Sequence, residues 1–260
     1  MTAPRTAGLL GGGLLDLLLP ARCAGCGEGA GQLCPACRAL LTCAAAGPAG
    51  PEPPPDGLPP VHAAAPYGGP VRNLLIAHKE RGALRLARPL GSALAAAVRS
   101  ADAAGAPGAP GAPLLLVPVP STRRSVRERG HDPALRLARA AARELRRAGR
   151  PARVAPVLRH ARRVADQAGL SAAERHRNLH GALAVRPHTA ALLHGRPVVL
   201  VDDLVTTGAS LAEAARALRA AGCPPRAAAT VAATARRSGW AGDPRSGVAQ
   251  ECRGPVRQPG

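Results

Sequence analysis

The sequence predicts an α/β domain in which a parallel sheet is flanked by helices, behind a small N-terminal module that carries four closely spaced cysteines. Apolar runs of strand length alternate with helical patterns, and they lie at 114–119, 154–158, 197–201 and 226–234. Such alternation is typical of βαβ units, whose strands are parallel. Because ligands of these sheets bind at the carboxyl ends of the strands, we expect the functional site there.

Residues that start and stop helices support this fold class. Asp132 and Pro133 provide an N-cap and a proline at the first helical position, which predicts a helix directly after them. A Ser-x-x-Glu capping box begins at Ser171. A further helix is expected over about 209–221, because its apolar residues share one face and Gly222 can stop it. Each helix lies between two of the apolar runs, as the alternation requires.

The composition excludes several classes of protein. The chain has 260 residues, of which 46% are hydrophobic, so it can bury a core and is not wholly disordered. No apolar run approaches the ~20 residues that a transmembrane helix needs, and we expect no membrane insertion. One Trp, one Tyr and no Phe disfavour single-stranded nucleic-acid modules, which stack bases on aromatic rings.

The net charge of +19 favours a ligand or partner rich in phosphate. Residues 1–60 hold three Arg against four acidic residues, so the excess positive charge lies in 61–260. Nucleic acid and a phosphorylated metabolite both fit this charge. Lys79 is the only lysine in the sequence. It is therefore a candidate for a site that needs a compact ammonium group, with a single unmutated codon as the alternative.

Changes in composition divide the chain into four segments. Residues 1–43 form an N-terminal helix and the cysteine module, 44–60 a Pro/Gly-rich linker, 61–234 the α/β domain, and 235–260 a disordered tail. The seven cysteines are an odd number, and four of them are clustered. This pattern differs from the disulfide framework of a secreted protein and predicts a cytoplasmic location.

The spacing of the clustered cysteines predicts a metal site. Cys23, Cys26, Cys34 and Cys37 form the pattern C-x2-C-x7-C-x2-C. Two closely spaced thiolate pairs are the usual way to build a tetrahedral zinc site, and four thiolates leave no position open for catalysis. We therefore expect a small ribbon with a structural zinc ion, the alternative being four reduced cysteines without metal.

The most informative segment for function is 198–210, VVLVDDLVTTGAS. A buried strand is expected to end in Asp202 and Asp203, and a turn rich in hydroxyl groups and glycine then opens a helix. The N–H groups and the dipole at a helix N-terminus attract phosphate. The candidate phosphate ligands are Thr206, Thr207, Gly208, Ala209 and Ser210. The paired carboxylates suit a sugar diol or Mg²⁺, so a ribose 5-phosphate fits the whole segment.

This segment resembles the phosphoribosyl diphosphate (PRPP) signature of type I phosphoribosyltransferases. Other segments resemble the ComF/GntX family of competence-associated proteins; they are LLDLLLPARCAGC at 14–26, AHKERG at 77–82, VPVPSTRRSVRERGHDP at 117–133 and DQAGLSAAERHRNLHGAL at 166–183. The resemblance extends over about residues 9–234. It implies a type I phosphoribosyltransferase-like sheet, flanked by helices and preceded by a four-cysteine zinc ribbon.

The resemblance also implies roles for residues of the predicted site. Asp202 and Asp203 would hold the ribose hydroxyls, and residues 206–210 would hold the 5′-phosphate. The loop after the first strand would bind pyrophosphate through Val119, Pro120, Ser121 and Thr122. Mg²⁺ would accompany PRPP.

Basic residues near this loop are further candidates for PRPP binding. Arg123 and Arg124 would contact phosphate oxygens through their guanidinium groups, with a solvated basic loop as the alternative. The segment 159–179 resembles the mobile loop that closes over PRPP, and Arg163 is its candidate ligand. Lys79 lies in the family-like segment 77–82 and is also assigned to PRPP binding.

The resulting hypothesis is a PRPP-binding protein that transfers the phosphoribosyl group to an acceptor and releases pyrophosphate. The acceptor is not identified by the sequence. The alternative is a non-catalytic, PRPP-sensing accessory protein in DNA uptake or recombination. The expected partners are PRPP and the acceptor for the enzyme, DNA or DNA-uptake proteins for the accessory protein, and a second copy of the chain for either.

Overall fold

The computed structural model describes residues 22–28, 31–42, 45–105, 112–162 and 178–234. The predicted N-terminal helix, the capping box and the predicted tail lie outside these ranges. The fold is a mixed α/β arrangement, as predicted. None of the helices in these ranges combines the length and the apolar character that a bilayer span requires.

Two sheets are present in the described part of the chain. The larger sheet contains β1 (Gly47–Pro48), β2 (Val61–Pro66), β3 (Leu114–Pro118), β4 (Ala152–Val154), β7 (Val198–Val205) and β8 (Ala227–Ala233). Its spatial order is β1-β2-β8-β7-β3-β4, and every neighbouring pair except β1–β2 is parallel. The smaller sheet pairs β5 (Leu158–His160) with β6 (Leu183–Val185) in antiparallel fashion.

Some of the helices begin at a side-chain cap, as at Thr122 and Asp132. In the described ranges they are α1 (Pro35–Thr42), α2 (Gly69–Glu80), α3 (Ala87–Ala104), α4 (Arg123–Arg129), α5 (Pro133–Arg147) and α6 (Ala209–Ala220), with short 3₁₀ turns at Leu84–Leu86 and Ala190–Leu192. The Asp132 side chain accepts the N–H of Leu135 at 3.1 Å and caps α5 as predicted. The predicted helix over 209–221 is also confirmed, within one residue at its end.

The two faces of the large sheet are covered by different helices. Successive residues of a strand point to opposite faces. On β7, Val199 and Val201 pack with the apolar residues of α3 and α5, whereas Val198 and Leu200 pack with those of α6. The continuous apolar run of β7 is therefore explained by burial on both sides, which is typical of parallel strands.

Helices α3 and α5 approach closely because the residues at their contact are small. A Cβ atom added at Gly91 of α3 would clash with the Cβ of Ala140 of α5. We expect Gly91→Ala to lower the free energy of unfolding by about 1–3 kcal/mol, since the two helices would have to separate. Urea unfolding measures this change.

The double substitution Gly91→Ala/Ala140→Gly is the matched control for this contact. It moves the methyl group from one helix to the other and should recover part of the lost stability. On an exposed helix face, Gly→Ala would instead stabilise by about 1 kcal/mol through helix propensity. A more stable Gly91→Ala protein would therefore contradict the close approach.

Two strand predictions differ from the structure. β7 does not end at Val201, because its pairing with β8 continues to Val205. The run at 154–158 is not one strand: β4 ends at Val154 and β5 begins at Leu158. Pro156 lies between them, and since proline has no N–H to donate, the chain leaves the large sheet at this point.

The cysteine module and the segment after it pack against the sheet domain. The Asn73 side-chain amide on α2 donates to the carbonyl of Gly25 at 2.8 Å. Leu41 of α1 belongs to the same buried cluster as Leu74 of α2. Part of the segment predicted as a linker forms β1, at the edge of the large sheet. The division into four segments stays a prediction.

Candidate functional site

A cleft of about 630 Å³ lies at the carboxyl ends of β3 and β7. The residues singled out in the sequence that line it are Lys79, Val119, Pro120, Ser121, Thr122, Arg124, Asp202, Asp203 and Ser210. They come from α2, from the loop after β3, from α4, from β7 and from the start of α6. The fold therefore gathers residues from separate parts of the chain at the edge of the sheet where the fold class places ligands.

A second, smaller pocket of about 60 Å³ adjoins the cleft at the start of α6. It is lined by Asp202 and residues 204–211, which include Thr206, Thr207, Gly208 and Ala209. Asp202 and Ser210 line both cavities, so the two cavities meet at these residues. The volume corresponds to about two water molecules of liquid volume, which is the scale of a small anionic group.

Gly208 is required by both its backbone and its surroundings. Its φ of 74° lies in the left-handed region, which side chains other than hydrogen disfavour. A Cβ atom there would lie 3.0 Å from Leu58 and 3.2 Å from both Pro51 and Pro55. The Pro-rich segment thus supports the back of the turn that opens α6. This contact between distant segments has no signal in the sequence.

Among the described residues, the acid pair forms one ion pair, between Asp203 and Lys79. Both Asp202 and Asp203 lie within β7, which continues to Val205 instead of ending at the acid pair as predicted. The Lys79 Nζ lies 2.8 Å from the Asp203 carboxylate, which is buried. Burial opposes the charge of Lys79, but the Asp203 and Asp202 carboxylates outweigh it and raise its pKa. Desolvation, together with the neighbouring charge of Asp203, raises the pKa of Asp202 well above its usual value.

His78, next to Lys79, is buried. It is 0% exposed, and among the described residues neither of its ring nitrogens has a hydrogen-bond partner. Its ring meets the edge of His131, with the ring centroids 5.6 Å apart. Burial, and secondarily the nearby His131, lowers its pKa to about 4. Lys79 therefore extends towards Asp203 from a turn of α2 whose neighbouring residue, His78, is fully buried.

The loop after β3 is held in place by hydrogen bonds at both ends. The N–H of Val119 continues the sheet by donating to the carbonyl of Val201 at 3.0 Å. The N–H of Ser121 donates to the carboxylate of Asp132 at 3.1 Å. Thr122 is the N-cap of α4, since its hydroxyl oxygen accepts the N–H of Ser125. The loop is therefore fixed beside the acid pair.

The three arginines that were predicted to bind PRPP have different positions relative to the cleft. Arg123 and Arg124 lie on α4 rather than in a loop. Arg124 lines the cleft, is 84% exposed and pairs with Glu128 at 2.7 Å, whereas Arg123 is exposed and does not line it. Arg163 lies outside the described residues.

Some residues of the site were missed by the sequence reasoning. His160 was not singled out within the segment 159–179, yet it lines the cleft and its Nε2 donates to the carbonyl of Pro120 at 3.1 Å. Glu213 is buried on α6 beside the cleft, where the adjacent Arg216 and the N–H of Leu183 bind its carboxylate. Asp132 was identified only as a helix cap. The one sequence signal of a second role for Asp132 was its position between the loop that contains Ser121 and α5.

The four clustered cysteines come together as predicted. Their sulfur atoms all lie within 4.8 Å of one another, and Cys26 Sγ and Cys34 Sγ are 3.7 Å apart. Four sulfurs at the usual Zn–S distance of about 2.3 Å around a tetrahedral ion lie about 3.8 Å apart. The donor set and its dimensions therefore fit a zinc ion. The cluster lies apart from the cleft, which suits a structural ion.

Comparison with known proteins agrees with this geometry. Residues 132–248 match the model of the phosphoribosyl transferase domain. The match includes the acid pair, the small pocket and the start of α5. No curated protein matches the chain. Residues 132–248 are therefore similar to a phosphoribosyl transferase domain, and the parallel sheet flanked by helices agrees with this similarity.

Proposed function

We propose that the cleft binds PRPP and that the protein transfers its phosphoribosyl group to an acceptor, releasing pyrophosphate. The observation that carries the proposal is the junction of the two cavities at Asp202 and Ser210. PRPP has a phosphate at one end, a ribose diol in the middle and a pyrophosphate at the anomeric carbon. The small pocket, the acid pair and the loop at 119–122 follow one another in the same order.

The small pocket is proposed to hold the 5′-phosphate. It lies at the N-terminus of α6, a helix of twelve residues whose first N–H groups have no partner within the helix. These groups and the helix dipole favour a dianion. The hydroxyls of Thr206, Thr207 and Ser210 are within the same turn and add donors.

Asp202 and Asp203 are proposed to accept hydrogen bonds from the two ribose hydroxyls. Hydrogen bonds from the ribose hydroxyls would favour the charged form of the Asp202 carboxylate and so oppose the desolvation that raises its pKa. Lys79 neutralises Asp203 at 2.8 Å and so limits the repulsion within the acid pair. These residues would orient the sugar so that its anomeric carbon faces the larger cleft.

The loop at 119–122 is proposed to face the pyrophosphate. Mg²⁺ bound to PRPP would supply charge neutralisation for the leaving pyrophosphate, and the oxygen-rich walls of the cleft suit this hard cation. The acceptor's lone pair forms the new bond to the anomeric carbon while the electrons of the C–O bond leave with pyrophosphate. The chain contributes position and charge stabilisation.

Calorimetric titration tests the binding proposal. Mg-PRPP should bind more tightly than ribose 5-phosphate or Mg-pyrophosphate alone, because only PRPP reaches both the small pocket and the loop. The protein should be folded and zinc-replete. Absence of binding at saturating Mg-PRPP would overturn the proposal.

A second assay separates transfer from binding alone. Pyrophosphate release from Mg-PRPP is measured with a panel of nucleobases and amines as acceptors. Release that depends on one acceptor supports the transferase. Binding without release for any acceptor would favour the non-catalytic alternative. The resemblance to the ComF/GntX family is compatible with both of these outcomes.

A further inference from the structure

A second groove of about 620 Å³ lies along α5 and shares none of the described lining residues of the cleft. Its walls are the outer face of α5 and the stretch from the 3₁₀ turn at 84–86 to the first turn of α3. Six arginines line it: Arg85, Arg88, Arg136, Arg139, Arg143 and Arg147. This cluster is called the arginine groove below.

Most of these guanidinium groups lack a carboxylate partner. Arg147 pairs with Glu144 at 3.3 Å, and the other five have no ion pair among the described residues. The buried Nε of Arg136 also has no hydrogen-bond partner there. By contrast, Arg150 and Arg216 each form ion pairs at 2.7–2.8 Å elsewhere in the domain. Two acidic residues, Asp132 and Glu144, also line the groove. Six positive charges therefore stand against two negative ones, and the groove keeps an excess of positive charge.

The spacing of the charges is unfavourable without a ligand. Four of the arginines follow one another on α5 at intervals of three or four residues, so that neighbours share one face of the helix. Like charges at this spacing destabilise a helix by a few tenths of a kcal/mol per pair. Arg85 and Arg88 add two more positive charges from the facing wall. An anion placed between the walls would relieve this repulsion.

The shape of the groove indicates what kind of anion fits. From Arg136 to Arg147, α5 rises about 16 Å, since each helical residue adds about 1.5 Å. An elongated anion with several charges matches this stripe better than a single phosphate. Planar guanidinium groups bind phosphate oxygens in pairs. Among the described residues that line the groove there is no Phe, Tyr or Trp, and the ring of His131, which does line it, is buried. The groove therefore lacks the exposed stacking platforms that single-stranded nucleic acid uses.

We propose that the arginine groove is a binding site for an oligophosphate chain, separate from the PRPP cleft. The shared chemistry is a run of linked phosphates, whether free or attached to a nucleoside. The proposal does not depend on PRPP binding, because the two sites have different lining residues. Both sites can therefore be tested independently.

The test is calorimetric titration with inorganic tripolyphosphate at about 0.15 M salt, where weak surface attraction is largely screened. Arg139→Gln/Arg143→Gln should weaken binding at least about tenfold, because both side chains are exposed and line the groove. Arg85→Gln/Arg88→Gln, on the facing wall, should weaken it to a similar extent. Arg72→Gln/Arg99→Gln removes the same charge from exposed helix positions outside the groove and should leave the affinity within about twofold.

Equal affinity in the wild type and both groove variants would overturn the proposal, and so would an equal loss in the Arg72/Arg99 control. ATP in place of tripolyphosphate distinguishes a nucleotide from a free chain: the groove variants should weaken both, and tighter binding of ATP identifies the nucleoside as part of the ligand. If only a single-stranded oligonucleotide depended on the groove arginines, the oligophosphate assignment would be wrong. Mg-PRPP affinity should be unchanged in the groove variants.

Discussion

Asp202→Asn is expected to weaken the binding of Mg-PRPP at least about tenfold, and Asp202→Asn/Asp203→Asn by about a hundredfold. A hydrogen bond from a hydroxyl to a carboxylate contributes about 1.5–3 kcal/mol, and each factor of ten in affinity corresponds to about 1.4 kcal/mol. Asparagine keeps the side-chain volume and removes the charge, so the cleft should keep its shape. Calorimetric titration measures the affinity, and pyrophosphate release should fall in parallel.

Glu128→Gln is the matched control for the acid pair. Glu128 lines the same cleft, is 57% exposed, and pairs only with the exposed Arg124 among the ion pairs described. If general repulsion between the cleft and an anionic ligand governed affinity, removing any acid there would tighten binding. We expect little change for Glu128→Gln. Wild-type affinity in the Asp202/Asp203 double variant would contradict the assignment of the acid pair.

The ion pair of Asp203 with Lys79 needs a variant of its own. Asp203→Asn leaves the Lys79 ammonium, whose side chain is 38% exposed, without its carboxylate at 2.8 Å. Lys79→Met/Asp203→Asn removes both charges and avoids an unpaired one. If the diol acceptor matters, this double variant should bind Mg-PRPP as weakly as Asp203→Asn. Recovery of affinity would show that the unpaired lysine, rather than the lost acceptor, causes the defect.

The second large effect is expected at the cysteine cluster. The purified protein should contain about one zinc ion per chain, and Cys37→Ser should abolish stoichiometric binding, since a structural site needs all four thiolates. Because Cys37 is buried in the same cluster as Leu74 of α2, loss of the metal should also lower the midpoint of thermal unfolding by several degrees. Elemental analysis and calorimetry measure the two effects.

Cys223→Ser provides the comparison for the cysteine cluster. Cys223 is also buried, at 4% exposed, but it lies outside the four-cysteine cluster. This variant should keep its zinc, whatever its effect on stability. Full zinc content in Cys37→Ser, or equal loss of zinc in Cys223→Ser, would contradict the zinc site.

The elements that the sequence predicted well are those with local causes. The start of α5 follows from Asp132 and Pro133, whose effect reaches only the first helical turn. The buried strands follow from short apolar runs, and β3 begins at Leu114 as predicted. The error at 154–158 has a local cause as well, since Pro156 marked a break that the apolar pattern concealed.

The part of the site that was predicted also depends on residues that are close in sequence. The turn at 206–210 lies in one stretch of sequence, so its residues could be assigned together. The contact of Lys79 with Asp203 joins residues 124 positions apart, and nothing in either segment specifies the other. Lys79 is the only lysine in the sequence, and this fact indicated only that its position is unusual.

Short-range chemistry accounts for what could be inferred from residue order alone: the alternation of strands and helices, the thiolate spacing and the turn that opens α6. Each depends on residues within a few positions of one another. The three-dimensional packing decided the support of Gly208 by the Pro-rich segment, the contact of Lys79 with Asp203 and the convergence of arginines from α3 and α5 on one groove. These features arise where distant segments meet, and their positions are set by how the helices pack on the sheet.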